Sequence, residues 1–144
     1  MNAFFANRRV IIYYNGAISA LTLFTQFANE GVCCPTPLPP LSSFLELEDQ
    51  AAIIELPPAN LIAEICQYLG LPDDLLKLNP DFIERVDTPN GIITVYLAQF
   101  TLLDPPHALM AEKGAKLKTL TELRQSSPAE LDLLRRAYAT IMES

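Results

Sequence analysis

The stretch that decides the fold is ELPPANLIAEICQYLGL, residues 55–71. Proline suits the first turn of a helix and glycine often ends one, so Pro57-Pro58 and Gly70 predict the two ends of a helix that runs to about Leu69. One face of this helix is polar and carries Glu64. The other face is an apolar stripe that should pack on the core, and it consists of Leu61, Ile62, Ile65, Cys66 and Leu69.

Two hairpins are predicted, one on each side of this helix. Asn15-Gly16 lies between two β-rich runs, and both residue types tolerate the positive φ that a two-residue hairpin turn requires. The stretch Asp87-Thr88-Pro89-Asn90-Gly91 carries a second hairpin signal. The predicted strands are Arg9–Tyr14 with Ala17–Phe24 and Phe82–Val86 with Ile92–Phe100. A further short buried strand is expected over Ala51–Leu56, and Leu71–Leu78 is expected to be a connector with a helical turn.

The last helix has the clearest start. Ser127-Pro128-Ala129-Glu130 combines an N-terminal capping box with proline at the first helical position. Its apolar stripe is expected to be Leu131, Leu134, Tyr138 and Ile141, whereas Glu130, Asp132, Arg135 and Arg136 should face water or a partner. Before it we predict a short helix over Pro106–Lys113, a strand over Lys116–Leu120 and a short helical segment over Thr121–Arg124.

Length, charge and cysteine count restrict the function classes. The 144 residues suffice for one domain with its own core. The net charge of −7 repels a phosphate backbone, so nucleic acid is not an expected partner. The apolar run Val10–Ala28 is interrupted by polar residues, so we expect neither a membrane span nor a signal segment. The odd count of three cysteines fits a reducing compartment, and we expect a cytoplasmic protein.

Several small groups could bind a ligand but have plainer interpretations. The proline-rich segment at 35–40 is expected to be a rigid surface loop rather than a peptide ligand. Cys33-Cys34 could be a redox or metal pair, although thiols without a partner are the simpler interpretation. Arg8-Arg9 and Arg135-Arg136 could grip a phosphate, but surface ion pairs are favoured. His107, the only histidine, is expected at the surface.

The spacing around the first helix resembles the Nudix box, G-x5-E-x7-R-E-U-x-E-E-x-G-U with U apolar, here at residues 49–71. The sequence keeps Glu55, the pair Glu64-Ile65 and the closing Gly70-Leu71. It departs from the pattern at Asp49, Ala63, Gln67 and Tyr68. The resemblance implies a single Nudix-like domain over residues 1–144, with an α+β fold in which a mixed β-sheet lies in an α/β/α sandwich. An unrelated α+β domain is the alternative.

The same resemblance nominates the site residues. Glu64 takes the position that helps to activate water or bind metal in the family, and Glu55 is a second metal-ligand candidate. The family's principal metal ligands are replaced by Gln67 and Tyr68, which leaves too few carboxylates for two-metal chemistry. Replacement ligands could come from acidic residues nearby, namely Glu46, Glu48, Asp49, Asp73 and Asp74.

The favoured function is therefore a catalytically degenerate Nudix-like domain without a cofactor. It would act as a binding or interaction module for a nucleotide-like metabolite or a protein partner, with a homodimer also open. The alternative is an active hydrolase of nucleoside diphosphate-linked compounds that uses Mg²⁺ or Mn²⁺ and rearranged carboxylates. The number of carboxylates that converge near Glu64 separates the two hypotheses.

Overall fold

A mixed β-sheet organises the chain. The structure is a computed structural model and describes residues 3–16, 21–39, 41–44 and 57–143. The strands are β1 Arg8–Asn15, β2 Thr22–Gln26, β3 Cys33–Cys34, β4 Ser43–Phe44, β5 Leu76–Thr88, β6 Gly91–Phe100 and β7 Lys116–Lys118. The helices are α1 Leu61–Leu69, α2 His107–Glu112 and α3 Pro128–Glu143. Within the described residues seven strands form one sheet in the order β4-β5-β6-β1-β2-β7, with β3 paired to β1. The expected α+β class is confirmed.

The first hairpin forms, but its predicted turn is wrong. β1 and β2 pair antiparallel, with Tyr13 opposite Phe24 and Asn15 opposite Thr22. Asn15 is still part of the ladder, where its Oδ1 accepts a 3.1 Å hydrogen bond from Thr22 Oγ1. The connection is therefore longer than two residues, and the N–H of Gly16 donates to the carbonyl of Leu21 across it.

The second hairpin forms where it was predicted, with a longer first strand and a tighter turn than the expected connection over residues 87–91. Thr88 pairs with Gly91, so Pro89 and Asn90 alone form the turn, and Gly91 takes the positive φ of 116°. β5 begins at Leu76, which corrects the predicted connector over its last three residues. Leu76 is buried in the core and draws this segment into the sheet. The ladder is irregular between Asn79 and Ile83, where a proline can be accommodated.

Two apolar clusters cover the two faces of the sheet. Alternate residues of β1 divide between them, with Ile12 and Tyr14 in the first cluster and Ile11 and Tyr13 in the second. The first cluster also contains Leu61, Ile65 and Cys66 of α1 and Met110 of α2. The second contains Leu133, Leu134, Ala137 and Ile141 of α3. The predicted flanking of the sheet by helices near 57–69 and 128–142 is confirmed.

Leu134 and Ile141 of the predicted stripe are buried, but α3 also buries a residue that was expected to face water. Ser127 Oγ accepts a 3.4 Å hydrogen bond from the Glu130 N–H, as the capping signal predicts. Glu130, however, is only 3% exposed, and its carboxylate accepts hydrogen bonds from the backbone N–H groups of Val32 at 2.9 Å and Leu38 at 3.0 Å. Because these donors satisfy the carboxylate, the helix can bury it. Tyr138, which was expected in the apolar stripe, is 38% exposed.

The other predicted elements follow in the expected order, although α1 begins at Leu61 rather than at Pro57-Pro58. Gly70 ends α1 in a left-handed conformation, and α2, β7 and a 3-10 segment over Thr121–Leu123 follow in the predicted order. Of the α1 stripe, Ile65 is buried and Leu69 is half-buried against the first cluster. The predicted strand Ala51–Leu56 lies outside the described residues. None of the helices in the described ranges is long and apolar enough to cross a membrane.

Candidate functional site: a cleft at the carboxyl ends of two parallel strands

Glu64 lies on the polar face of α1, as predicted, and is half-buried. Gln67 and Tyr68, at the positions where the Nudix pattern has carboxylates, are both exposed. The Tyr68 ring meets the edge of Phe5 with the ring centres 6.2 Å apart. Glu55, the other metal-ligand candidate, lies outside the described residues. At this helix the structure therefore presents one candidate carboxylate beside an amide and a phenol.

Acidic residues near α1 do not assemble a described metal site. Asp73 and Asp74 are exposed. Burial, followed by their two negative charges, raises the pKa of the Cys66 thiol. Across the described ranges, no three His, Cys, Asp or Glu side chains lie close enough together to hold a metal ion. The candidates Glu46, Glu48 and Asp49 fall outside these ranges.

The vicinal cysteines belong to the interior. Cys33 and Cys34 form β3, pair with β1 and are buried as free thiols. Burial raises the pKa of both thiols, that of Cys34 to about 12. A thiolate is the form that attacks or binds metal, so this environment disfavours both kinds of chemistry.

Two arginines are part of the scaffold. Arg9 is 4% exposed, and its guanidinium donates to the carbonyls of Phe5, Arg8 and Thr36 at 2.7, 2.8 and 2.9 Å. This corrects the expectation that Arg9 forms a surface ion pair or binds a phosphate, because its guanidinium donates to backbone carbonyls of its own chain. Arg136 pairs with Glu84 at 3.2 Å and stacks 3.8 Å from the centre of the Phe44 ring. The ion-pair interpretation holds for Arg136.

A cleft of about 580 Å³ opens at one end of the sheet. β1 and β6 are parallel neighbours, and the cleft lies where both strands end and β5 begins. In open sheets, ligands bind at the carboxyl ends of parallel strands because the chain leaves the sheet there. The apolar lining comprises Leu21, Phe100, Leu102, Leu103 and Pro105. The polar lining comprises Tyr14, Asn15, Lys77, Gln99, Thr101 and Asp104.

The cleft has the size and composition of a small-molecule site. Its volume falls within the range of roughly 300–1,000 Å³ that is usual for ligand pockets, and it combines apolar walls with a few polar groups. Two smaller depressions, of about 210 and 220 Å³, adjoin Glu30 and Ser126 elsewhere on the surface. They fall below that range. The lining of the large cleft does not include Glu64.

A chain of hydrogen bonds supports the polar wall. The N–H of Asp81 donates to Asn79 Oδ1 at 3.1 Å, and Asn79 Nδ2 donates to the hydroxyl of Tyr13 at 3.1 Å. The Tyr13 hydroxyl in turn donates to Gln99 Oε1 at 3.3 Å. Tyr13 is 2% exposed, and burial raises its pKa, so it stays a neutral donor.

Two hydroxyl groups in the cleft are already committed as donors. The Tyr14 hydroxyl donates to the carbonyl of Leu103, and Thr101 Oγ1 donates to the carbonyl of Asp74 at 2.8 Å. These bonds fasten the segment after β6 to β1 and to the turn before β5. They keep the mouth of the cleft in place.

Sequence reasoning missed this cleft because its members are far apart in the chain. The pairing of β1 with β6 joins residues 8–13 to residues 94–99, and no local pattern encodes it. The usable signal was the appearance of polar residues directly after apolar runs, at Asn15 and at Gln99. A search against models of known protein families and against curated proteins finds no match for this sequence.

Proposed function

We propose that this chain is a Nudix-like domain that binds a nucleotide-like small molecule in the cleft and does not hydrolyse it. The observation that carries the proposal is the cleft itself, at the carboxyl ends of β1 and β6, with an apolar body and a few polar groups. A mixed sheet with helices on both faces is compatible with the α/β/α sandwich of that family. We place its activity in the cytoplasm, in line with its free cysteines.

The absence of hydrolysis follows from the chemistry at α1. Cleaving a phosphoanhydride requires metal ions that neutralise the phosphates and a base that orients water. Here Gln67 and Tyr68 replace the carboxylates of the family pattern, and the cleft lining does not include Glu64. The alternative hydrolase would use Glu64 with Mg²⁺ or Mn²⁺ and carboxylates from the acidic segment before α1.

Tryptophan reporters test the proposed binding site. The chain contains no tryptophan, so a single introduced one gives an unambiguous fluorescence signal. Leu102→Trp places the reporter in the cleft lining, and Ile92→Trp places it at the other end of β6. Leu102 and Ile92 are exposed to a similar extent, 39% and 42%, so the two reporter positions are matched. Titration with AMP should change the emission of Leu102→Trp alone.

Wild-type protein provides the second readout. In a ¹⁵N-resolved NMR titration with AMP, the amide signals of Asn15, Gln99 and Thr101 should shift most. Shifts that centre on Glu64 and Gln67 instead would move the binding site to α1. If ADP-ribose and AMP leave both the cleft signals and the Leu102→Trp emission unchanged, the proposed function is wrong.

A further inference from the structure

The orientation of the Gln99 amide is fixed by the hydrogen-bond chain beneath the cleft. A backbone N–H can only donate, so the contact from Asp81 identifies the oxygen of the Asn79 side chain. The Asn79 nitrogen must then donate to Tyr13, and the phenol proton of Tyr13 is left for Gln99 Oε1. Gln99 lines the cleft, and its Nε2 group keeps its two donors for a ligand.

Asn15 is oriented in the same sense. Its Oδ1 accepts from Thr22 Oγ1 at 3.1 Å, so its Nδ2 donors are directed elsewhere. Asn15 and Gln99 lie at the carboxyl ends of neighbouring parallel strands, and both line the cleft. Two amide groups of one wall thus present nitrogen rather than oxygen.

Lys77 adds a positive charge to this wall. It is the cross-strand partner of Gln99, so the two side chains share one face of the sheet, and the Lys77 side chain is exposed. Among the described residues Lys77 makes no ion pair, whereas Arg136 is paired with Glu84. Its ammonium group remains available to a ligand.

We propose that Lys77, Gln99 and Asn15 bind the anionic oxygen end of a small organic ligand, whose apolar part lies on Phe100, Leu102 and Leu21. This inference rests on the proposed function and adds which end of the ligand is charged and which is apolar. The wall offers hydrogen-bond donors and one cation, which suits a phosphomonoester or a carboxylate. Asp104 in the same lining disfavours a second anionic group on the ligand.

The acceptors of the cleft define the rest of the ligand. The Tyr14 and Thr101 hydroxyl protons are already donated, so these groups can only accept. With the Asp104 carboxylate they provide places for ligand hydroxyl or amino groups. The ligand is therefore an anion at one end and a hydrogen-bond donor at the other.

Paired probes measure the anion preference directly. AMP is compared with adenosine, and phenylacetate with phenylacetamide, by NMR titration of the wild-type protein. Each anion should bind about tenfold or more tightly than its neutral counterpart, because charge-assisted hydrogen bonds are the stronger kind. A preference shown only by AMP assigns a phosphate group, and one shown only by phenylacetate assigns a carboxylate.

Two variants and one control locate the effect. Lys77→Met removes the charge and keeps most of the side-chain length, and Gln99→Glu replaces the Nε2 donors but keeps an oxygen for Tyr13. Both should abolish the preference for the anion. Lys116→Met, on the edge strand β7 and outside the cleft lining, should leave it intact. Far-ultraviolet circular dichroism verifies that each variant is folded.

The outcomes separate the two proposals. If adenosine and AMP bind the cleft equally and Lys77→Met changes neither, the anion inference is overturned while the proposed function stands. If Lys116→Met removes the preference for the anion as fully as Lys77→Met does, the preference comes from the overall charge of the protein, and the anion inference is overturned. If no probe shifts the cleft signals, both proposals are wrong.

Discussion

Helix α1 and the cleft form an instructive contrast. The helix carries the only family-like spacing in the sequence, yet its buried face packs on the core and its polar face presents Glu64 beside Gln67 and Tyr68. The cleft has no motif, yet it gathers polar side chains from three strands around an apolar pocket. A local pattern reports local structure, whereas a binding site depends on which distant strands become neighbours.

The largest expected effect concerns the packing role of α1. Ile65 is fully buried in the first cluster, so Ile65→Ala should lower the free energy of unfolding by about 2–5 kcal/mol. The matched variant Gln67→Ala, on the exposed face of the same helix, should change it by no more than about 0.5 kcal/mol. Urea denaturation measures both. A large loss of unfolding free energy in Gln67→Ala would mean that the polar face of α1 is packed against other residues. The description of α1 as a helix with one buried and one exposed face would then be wrong.

The next effect concerns the hydrogen-bond chain beneath the cleft. Tyr13→Phe removes the hydroxyl that orients Gln99 and should weaken AMP binding by about three- to tenfold, the value of one hydrogen bond. Tyr138→Phe, on the partly exposed side of α3, is the control and should bind AMP as the wild type does. Calorimetric titration provides the affinities. Unchanged affinity in Tyr13→Phe would show that Gln99 is not positioned through this chain.

A smaller effect is expected from restoring the family's carboxylates on α1. Gln67→Glu with Tyr68→Glu alters only exposed positions, so the unfolding free energy should change by about 1 kcal/mol or less. The double variant should gain weak Mn²⁺ affinity, seen as paramagnetic broadening of α1 signals, while the wild type should show no tight Mn²⁺ site. If the double variant gains none, the alignment with the Nudix box loses its main support.

The smallest expected effect is on catalysis. We expect no turnover of ADP-ribose, diadenosine polyphosphates or nucleoside triphosphates above background with Mg²⁺ or Mn²⁺, and Glu64→Gln should look the same as the wild type. Product release is measured by chromatography. Hydrolysis by the wild type that Glu64→Gln abolishes would establish the alternative and make α1 the active centre.

The parts of the fold that the sequence predicts correctly are those set by adjacent residues. The residues 87–91 mark a hairpin, Gly70 ends α1, and Ser127 caps α3. Asn15-Gly16 carries an equally strong signal but fails. There the Asn15 side chain bonds Thr22, and the strand pairing extends past the expected turn.

The missed features all depend on partners remote in sequence. Glu130 was expected to face solvent, but its buried carboxylate accepts hydrogen bonds from the N–H groups of Val32 and Leu38. Arg9 was expected at the surface, but its guanidinium donates to the carbonyl of Thr36, which lies 27 residues further along the chain. The cleft likewise requires the parallel pairing of β1 with β6. None of these partners leaves a periodic signal near the residue concerned.

The contacts of Glu130 also bear on the order in which the protein can form during synthesis. Its carboxylate accepts hydrogen bonds from Val32 and Leu38, which lie 98 and 92 residues earlier in the chain. The backbone N–H groups of Val32 and Leu38 therefore leave the ribosome well before their acceptor does. Hairpins such as β5–β6 can close while synthesis continues. Both N–H groups lack this acceptor until α3 has been made, so a nascent chain arrested before α3 should leave the segment from Val32 to Leu38 more open to proteolysis.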